Sequence, residues 1–182
     1  MHVRPNLRIW GFKRMEKVVL GLSGGVDSAV AARLLMQQGY AVHGLYLDIG
    51  TPVARQDAID TAAFLDVPLT VQDISAELEQ QVCAPFVDSY MRGETPNPCI
   101  LCNPAVKFKS LIDCADAVGA RYIATGHYAR AANGALYKGQ PSNDQSYMLC
   151  RLKRSQAERL ILPLGDFAPA DVEDMARDLK LL

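Results

Sequence analysis

Hydrophobic positions along the chain follow two alternating rhythms. "KVVLGL" (Lys17–Leu22), "AVHGLYLDIG" (Ala41–Gly50), "PLTVQDI" and "RYIATGH" are short apolar runs bounded by turn residues, the pattern of buried strands. Between the first two, "DSAVAARLLMQQG" puts Val30, Leu34 and Leu35 on one helical stripe and stops at Gly39. "ARQDAIDTAAFLDV" repeats the device with Ala58, Ala62 and Leu65 on one side. Strand and helix alternating at this pace predict an α/β, Rossmann-like fold, a parallel sheet of about five strands with helices on both faces.

The second half of the chain is less regular. "SAELEQQVCAPFVDSYMRG" reads as a helix interrupted at Pro85. "NPAVKFKSLIDCADAVG" predicts a helix with Asn103 as N-cap, Pro104 in the first helical position and Gly119 at the end. Its apolar stripe is Phe108, Leu111, Ile112, Ala115 and Val118. "NGALYKG" suits a small hairpin or loop, with two helical pieces after it.

The turn between the first strand and the first helix carries the strongest chemical signal. Ser23, Gly24, Gly25, Val26, Asp27 and Ser28 lead from strand into helix, so the glycines let backbone approach an anion while the helix start offers free N–H groups. No lysine comes after the glycines, which excludes the GxxxxGK[ST] loop, and the third glycine of the dinucleotide pattern is missing too. A plain glycine-rich turn is the alternative.

Net charge is −1 over 182 residues, so a nucleic-acid partner would have to meet a local patch instead of a global basic field. Arg151, Lys153, Arg154 and Arg159 form one such local run. No apolar stretch approaches the length of a membrane span, and the N-terminal residues lack the apolar core of a secretory signal. Five cysteines are too few and too scattered for a secreted disulfide scaffold, and a reducing cytoplasm is the expected location.

Two of those cysteines stand apart. In "NPCILCNP", Cys99 and Cys102 make a C-x-x-C pair bracketed by prolines. Cys102 precedes the expected N-cap, where a positive helix end would favour a thiolate, and Lys107 and Lys109 add charge one turn on. The pair admits a disulfide, or two ligands of a metal or iron–sulfur cluster; no second C-x-x-C completes a zinc site. Cys83, Cys114 and Cys150 read as structural.

The loop "SGGVDS" resembles that of the N-type ATP pyrophosphatases. With "GETPNPCILCNPAVKF", "ARYIATGHYAR" and "SNDQSYMLCRL" after it in order, the chain from about Lys17 onward resembles the tRNA-specific 2-thiouridylases. That likeness implies an adenine nucleotide alpha-hydrolase-like fold and ATP-dependent formation of 2-thiouridine at the wobble position of tRNA. It implies ATP contacts at Gly21, Leu22, Ser23, Gly24, Gly25, Val26, Asp27, Ser28, Leu47 and Gly126, with Asp27 acting through magnesium. It implies tRNA contacts at Asn143, Asp144 and Gln145, a catalytic role for Cys102 with Cys99 beside it, and a persulfide-carrying protein as sulfur donor. Many family members carry aspartate where this chain has Cys99, and His127 is read either as a phosphate contact or as a strand cap.

The same likeness divides the chain into a flexible lead-in over 1–16, an ATP pyrophosphatase domain over 17–165 and the start of a truncated extension over 166–182. Members of that family are about twice as long, with a second, persulfide-bearing cysteine and β-rich domains in the additional length. Two alternatives stay open: the same adenylation on another acceptor, or a non-catalytic nucleotide- or cluster-binding module.

Overall fold

The computed structural model describes residues 15–181, so most of the expected lead-in lies outside the described residues. Its centre is β1 (Lys17–Gly21), whose Val18, Val19 and Leu20 are fully buried because helices cover both faces of the sheet. The chain passes through α1 (Val26–Gln37), β2 (Ala41–Asp48), α2 (Pro52–Leu65) and β3 (Leu69–Asp73). It then returns across β1 to β4 (Tyr122–Ala124) and ends the sheet at β7 (Leu160–Ile161), in the order β3-β2-β1-β4-β7, all parallel.

Side-chain alternation along β1 divides the core in two. Val18, Leu20 and Leu22 meet α1, α2 and α8 (Pro169–Asp178) through Val30, Leu35, Ala62, Leu65, Val172 and Ala176. Val19 faces the other way, into a cluster with Leu45, Ile123 and the buried Phe108 and Leu111 of α6 (Phe108–Val118). The segment expected to open an extension therefore packs, through α8, onto the same core as β1.

Two long helical runs connect β3 to β4. The first joins α3 (Ser75–Leu78), a π-turn (Glu79–Cys83) and α4 (Ala84–Met91). The second joins α5 (Pro98–Cys102), another π-turn (Asn103–Lys107) and α6. Each run holds a proline, Pro85 or Pro104, that would disrupt a regular helix by lacking an N–H; the wider turn beside it accommodates that loss without ending the helix.

Two expectations are corrected here. Pro85 does not interrupt its helix. Asn103 is not an N-cap: it lies inside the run in right-handed conformation, buried, with its side-chain amide donating to the Met148 carbonyl at 2.9 Å. The cap is Asn97, whose side chain accepts from the Cys99 N–H at 3.1 Å. Beyond β4, β5 (Ala129–Ala132) and β6 (Ala135–Lys138) form the expected hairpin, turning through Asn133 and Gly134, both at positive φ. A short 3₁₀ turn (Ser146–Leu149) and α7 (Arg154–Ala157) precede β7, a fifth strand that the sequence pattern does not reveal.

Candidate active site

The strand order reverses beside β1, since β2 and β3 lie to one side and β4 and β7 to the other. Open parallel sheets bind ligands outside the strand ends at such a crossing point. A cavity of about 320 Å³ sits there. Gly21, Leu22 and Ser23 enter it from β1, Asp27 and Ser28 from the start of α1, and Leu45, Tyr46 and Leu47 from β2. Thr125, Gly126 and His127 close it after β4, and Lys107 reaches it from the second helical run.

Seven of the ten residues expected around ATP line this cavity: Gly21, Leu22, Ser23, Asp27, Ser28, Leu47 and Gly126. Gly24, Gly25 and Val26 do not; they shape the loop. Gly24 holds φ at +85°, and a Cβ there would lie 2.6 Å from the Ala58 nitrogen of α2. The loop backbone thus rests directly on α2, which only glycine permits. The Ser28 hydroxyl donates to the Gly25 carbonyl at 2.8 Å and accepts from the Ser23 N–H at 3.2 Å, which binds the loop to itself. No side chain caps α1 at Gly25, and the first-turn amides stay available to an anion.

Asp27 is held on one side only. Its Oδ1 accepts from the Tyr128 hydroxyl at 2.7 Å, and burial together with that bond pushes the phenol pKa well up, so Tyr128 remains a donor. A single carboxylate beside a phosphate loop suits magnesium, which takes one or two carboxylates and fills its remaining positions with phosphate and water. His127 shares a hydrogen bond at Nδ1 with the Thr125 hydroxyl at 2.7 Å and stacks on Phe108 with ring centres 6.2 Å apart. Burial, with the nearby Lys107 charge, lowers its pKa to about 3. It is therefore a neutral imidazole, not a cation for phosphate.

The cysteine pair differs from expectation. The helix begins at Asn97, so the first-turn residue is the exposed Cys99, while Cys102 sits half-buried one turn further in. Burial pushes the Cys102 thiol up; the Lys107 charge and its backbone N–H oppose this without reversing it. Lys107 is itself lowered by burial. The helix-end thiolate is thus replaced by a protonated thiol held next to a desolvated amine. Lys109 contributes nothing here, since it points to solvent and pairs with Asp113.

Cys99 and Cys102 are both free thiols in the structure. Among the described residues, no three His, Cys, Asp or Glu side chains gather as metal ligands. An iron–sulfur cluster on Cys99 and Cys102 therefore finds no third ligand there. Lys107 is the residue that sequence reasoning undervalues: its position in the chain shows only background charge, yet it lines the cavity and touches the cysteine region at once.

Asn143, Asp144 and Gln145 lie in the loop between β6 and the 3₁₀ turn. Asp144 accepts from the Gly139 and Ser146 N–H groups at 2.9 and 3.0 Å, which holds its carboxyl below the usual range. Gln145 binds the backbone of Tyr128 through both its side chain and its N–H. The basic run is largely engaged: Arg154 pairs with Glu158, and Arg159 with Asp116 and the carbonyls of Ala120 and Arg121.

Comparison with known proteins gives the chain's family and fold. The tRNA-specific 2-thiouridylase MnmA of Nitrosomonas eutropha is 46% identical over 176 residues, covering 88% of this chain and 49% of that protein. The chain spans about half the length of the curated relatives it matches. Among solved structures, the predicted subunit of a tRNA methyltransferase from Methanocaldococcus jannaschii superposes with a TM-score of 0.61 at 20% identity, over 90% of this chain and 75% of that one. A 4-thiouridine synthetase–RNA complex with bound ATP gives a TM-score of 0.62 at 18% identity, over 91% of this chain and 41% of the other. Residues 16–182 match the family described as the tRNA methyl transferase HUP domain, and with these relatives the match establishes that the chain belongs to that family.

Proposed function

We propose that this chain is the ATP-using part of an enzyme that makes 2-thiouridine in tRNA. The observation that carries the reading is the cavity at the sheet's crossing point, lined by the Ser23–Ser28 loop and joined to Cys102 by Lys107. Leu45–Leu47 would hold the adenine and the start of α1 the phosphates, and Asp27 would hold magnesium, which would supply positive charge against the pyrophosphate. The C2 oxygen of the wobble uridine attacks the α-phosphorus, giving an O-adenylated base and pyrophosphate. Cys102 attacks the terminal sulfur of a donor protein's persulfide and takes it as a Cys102 persulfide, the donor cysteine leaving as thiol. That terminal sulfur attacks C2 and expels AMP. The Cys99 thiol then attacks Cys102 Sγ, releasing the 2-thiocarbonyl and leaving a Cys99–Cys102 disulfide that a thiol reductant restores. Lys107 offsets the charge of the Cys102 thiolate as it forms, which its half-buried position makes effective. Asn143–Gln145 lies on the tRNA side, and free thiols suit a reducing compartment.

Nucleoside mass spectrometry of tRNA incubated with the chain, ATP, magnesium, a protein persulfide donor and a thiol reductant, without oxygen, tests the reading. Formation of 2-thiouridine is expected, lost in Asp27→Asn together with AMP release and lost in Cys102→Ser while AMP release continues. Normal thiolation by Cys102→Ser overturns the cysteine assignment. Release of AMP without 2-thiouridine in the wild-type chain restricts the reading to ATP chemistry.

A further inference from the structure

Tyr128 lies outside the expected ATP, cysteine and tRNA residues, yet it touches two of those groups. Its ring is only 3% exposed and packs in the core cluster with Val30, Leu164 and Val172. The hydroxyl donates to Asp27 Oδ1 at 2.7 Å. The backbone at the same residue is held from the other side: its N–H donates to Gln145 Oε1 at 3.1 Å, and its carbonyl accepts from the Gln145 N–H at 2.8 Å. Asp144 fixes the loop that presents Gln145, and Gly126 packs against Asp27, where a Cβ would come within 3.3 Å of the Asp27 carbonyl carbon.

We propose that Tyr128 is a positioning residue for Asp27 and that Gln145 sets Tyr128, so that the Gln145 side chain acts on nucleotide binding even when no RNA is present. The inference rests on the reading of the cavity as an ATP–magnesium site. Its physical basis is direct. A carboxylate with one oxygen fixed by a buried phenol has its other oxygen aimed, and a hydrogen bond to a charged group is stronger than a neutral one. A Gln145 whose only business were with tRNA would have no reason to hold the backbone of Tyr128 at two points.

Calorimetry of ATP binding to the full chain without RNA, across a series of magnesium concentrations and again with EDTA, tests it. Tyr128→Phe keeps the ring and is expected to raise the magnesium concentration at half-saturation about 10- to 100-fold, the scale of one charged hydrogen bond, while binding in EDTA is unchanged. Gln145→Leu shifts the same midpoint in the same direction, Gln145→Glu restores it by keeping the acceptor, and the Tyr128→Phe, Gln145→Leu pair is less than additive. A general loss of packing would weaken binding with and without magnesium alike, and that result overturns the inference. So does a Tyr128→Phe chain with the wild-type magnesium midpoint. A wild-type chain that binds no ATP at all overturns the ATP reading itself, and this inference with it.

Discussion

His127 shows how a single buried side chain sets a pH limit. The folded chain keeps it neutral down to about pH 3, whereas an unfolded chain protonates it near pH 6.5. Between those values the unfolded state binds the extra proton, so stability falls as pH falls. Going from pH 6.5 to 5.5 should cost about 1 kcal/mol through this group. Urea denaturation at the two pH values checks it, and His127→Gln should remove that part of the slope. Lys107 works in the same desolvated surroundings and its charge acts downward on both His127 and Cys102, so the cavity and the thiol share one half-buried amine. A residue of this kind is hard to see in a sequence: among 19 lysines and arginines, only the fold tells which one reaches the cavity.

At the scale of elements, "NPCILCNP" contains the Asn-Pro pair twice, and both copies carry the same helix-start signal. The first is the start. The second lies inside the run because Asn103 spends its amide on the Met148 carbonyl, a partner 45 residues away that no local pattern reveals. Asn103→Leu should therefore destabilise the chain by about 1–3 kcal/mol through the stranded carbonyl. Asn97→Ala should cost only about 1 kcal/mol, a cap. Chemical denaturation of the two variants orders them. Strands β1, β2 and β4 are legible because each is a buried apolar run, and the glycine-rich loop because its glycines and hydroxyls sit at a strand-to-helix junction. β3 is found by the same pattern but is an edge strand with no fully buried residue, which corrects the expectation that it is buried. β7 is not legible, since Leu160–Ile161 is too short to show a period and owes its place to pairing with β4.

For the whole molecule, the cavity draws on β1, β2, β4, α1 and the second helical run, so a ligand held there would tie together both sides of the sheet. A ligand at 100 times its Kd stabilises by about 2.7 kcal/mol, which for a chain of this size raises the melting temperature by about 5–10 °C. Scanning fluorimetry with ATP and magnesium should show that rise. Gly24→Val should abolish it by forcing the loop off α2, whereas a rise kept in that variant would place the ligand elsewhere. Among the described residues no helix is long and apolar enough to cross a membrane.

The π-turn at Asn103–Lys107 is one surplus residue wound into a helix, a phase advance between the stretch before it and the stretch after. Deleting Ala105 would return the run to ordinary winding and rotate everything before it by about 100° around the helix axis. Phe108 and Leu111 would keep their places in the core, while Cys102 would swing away from Lys107 like the hand of a dial moved on by a quarter turn. The surplus residue is the gearing by which a helix anchored in the core keeps Cys102 in step with Lys107, the residue that reaches the cavity.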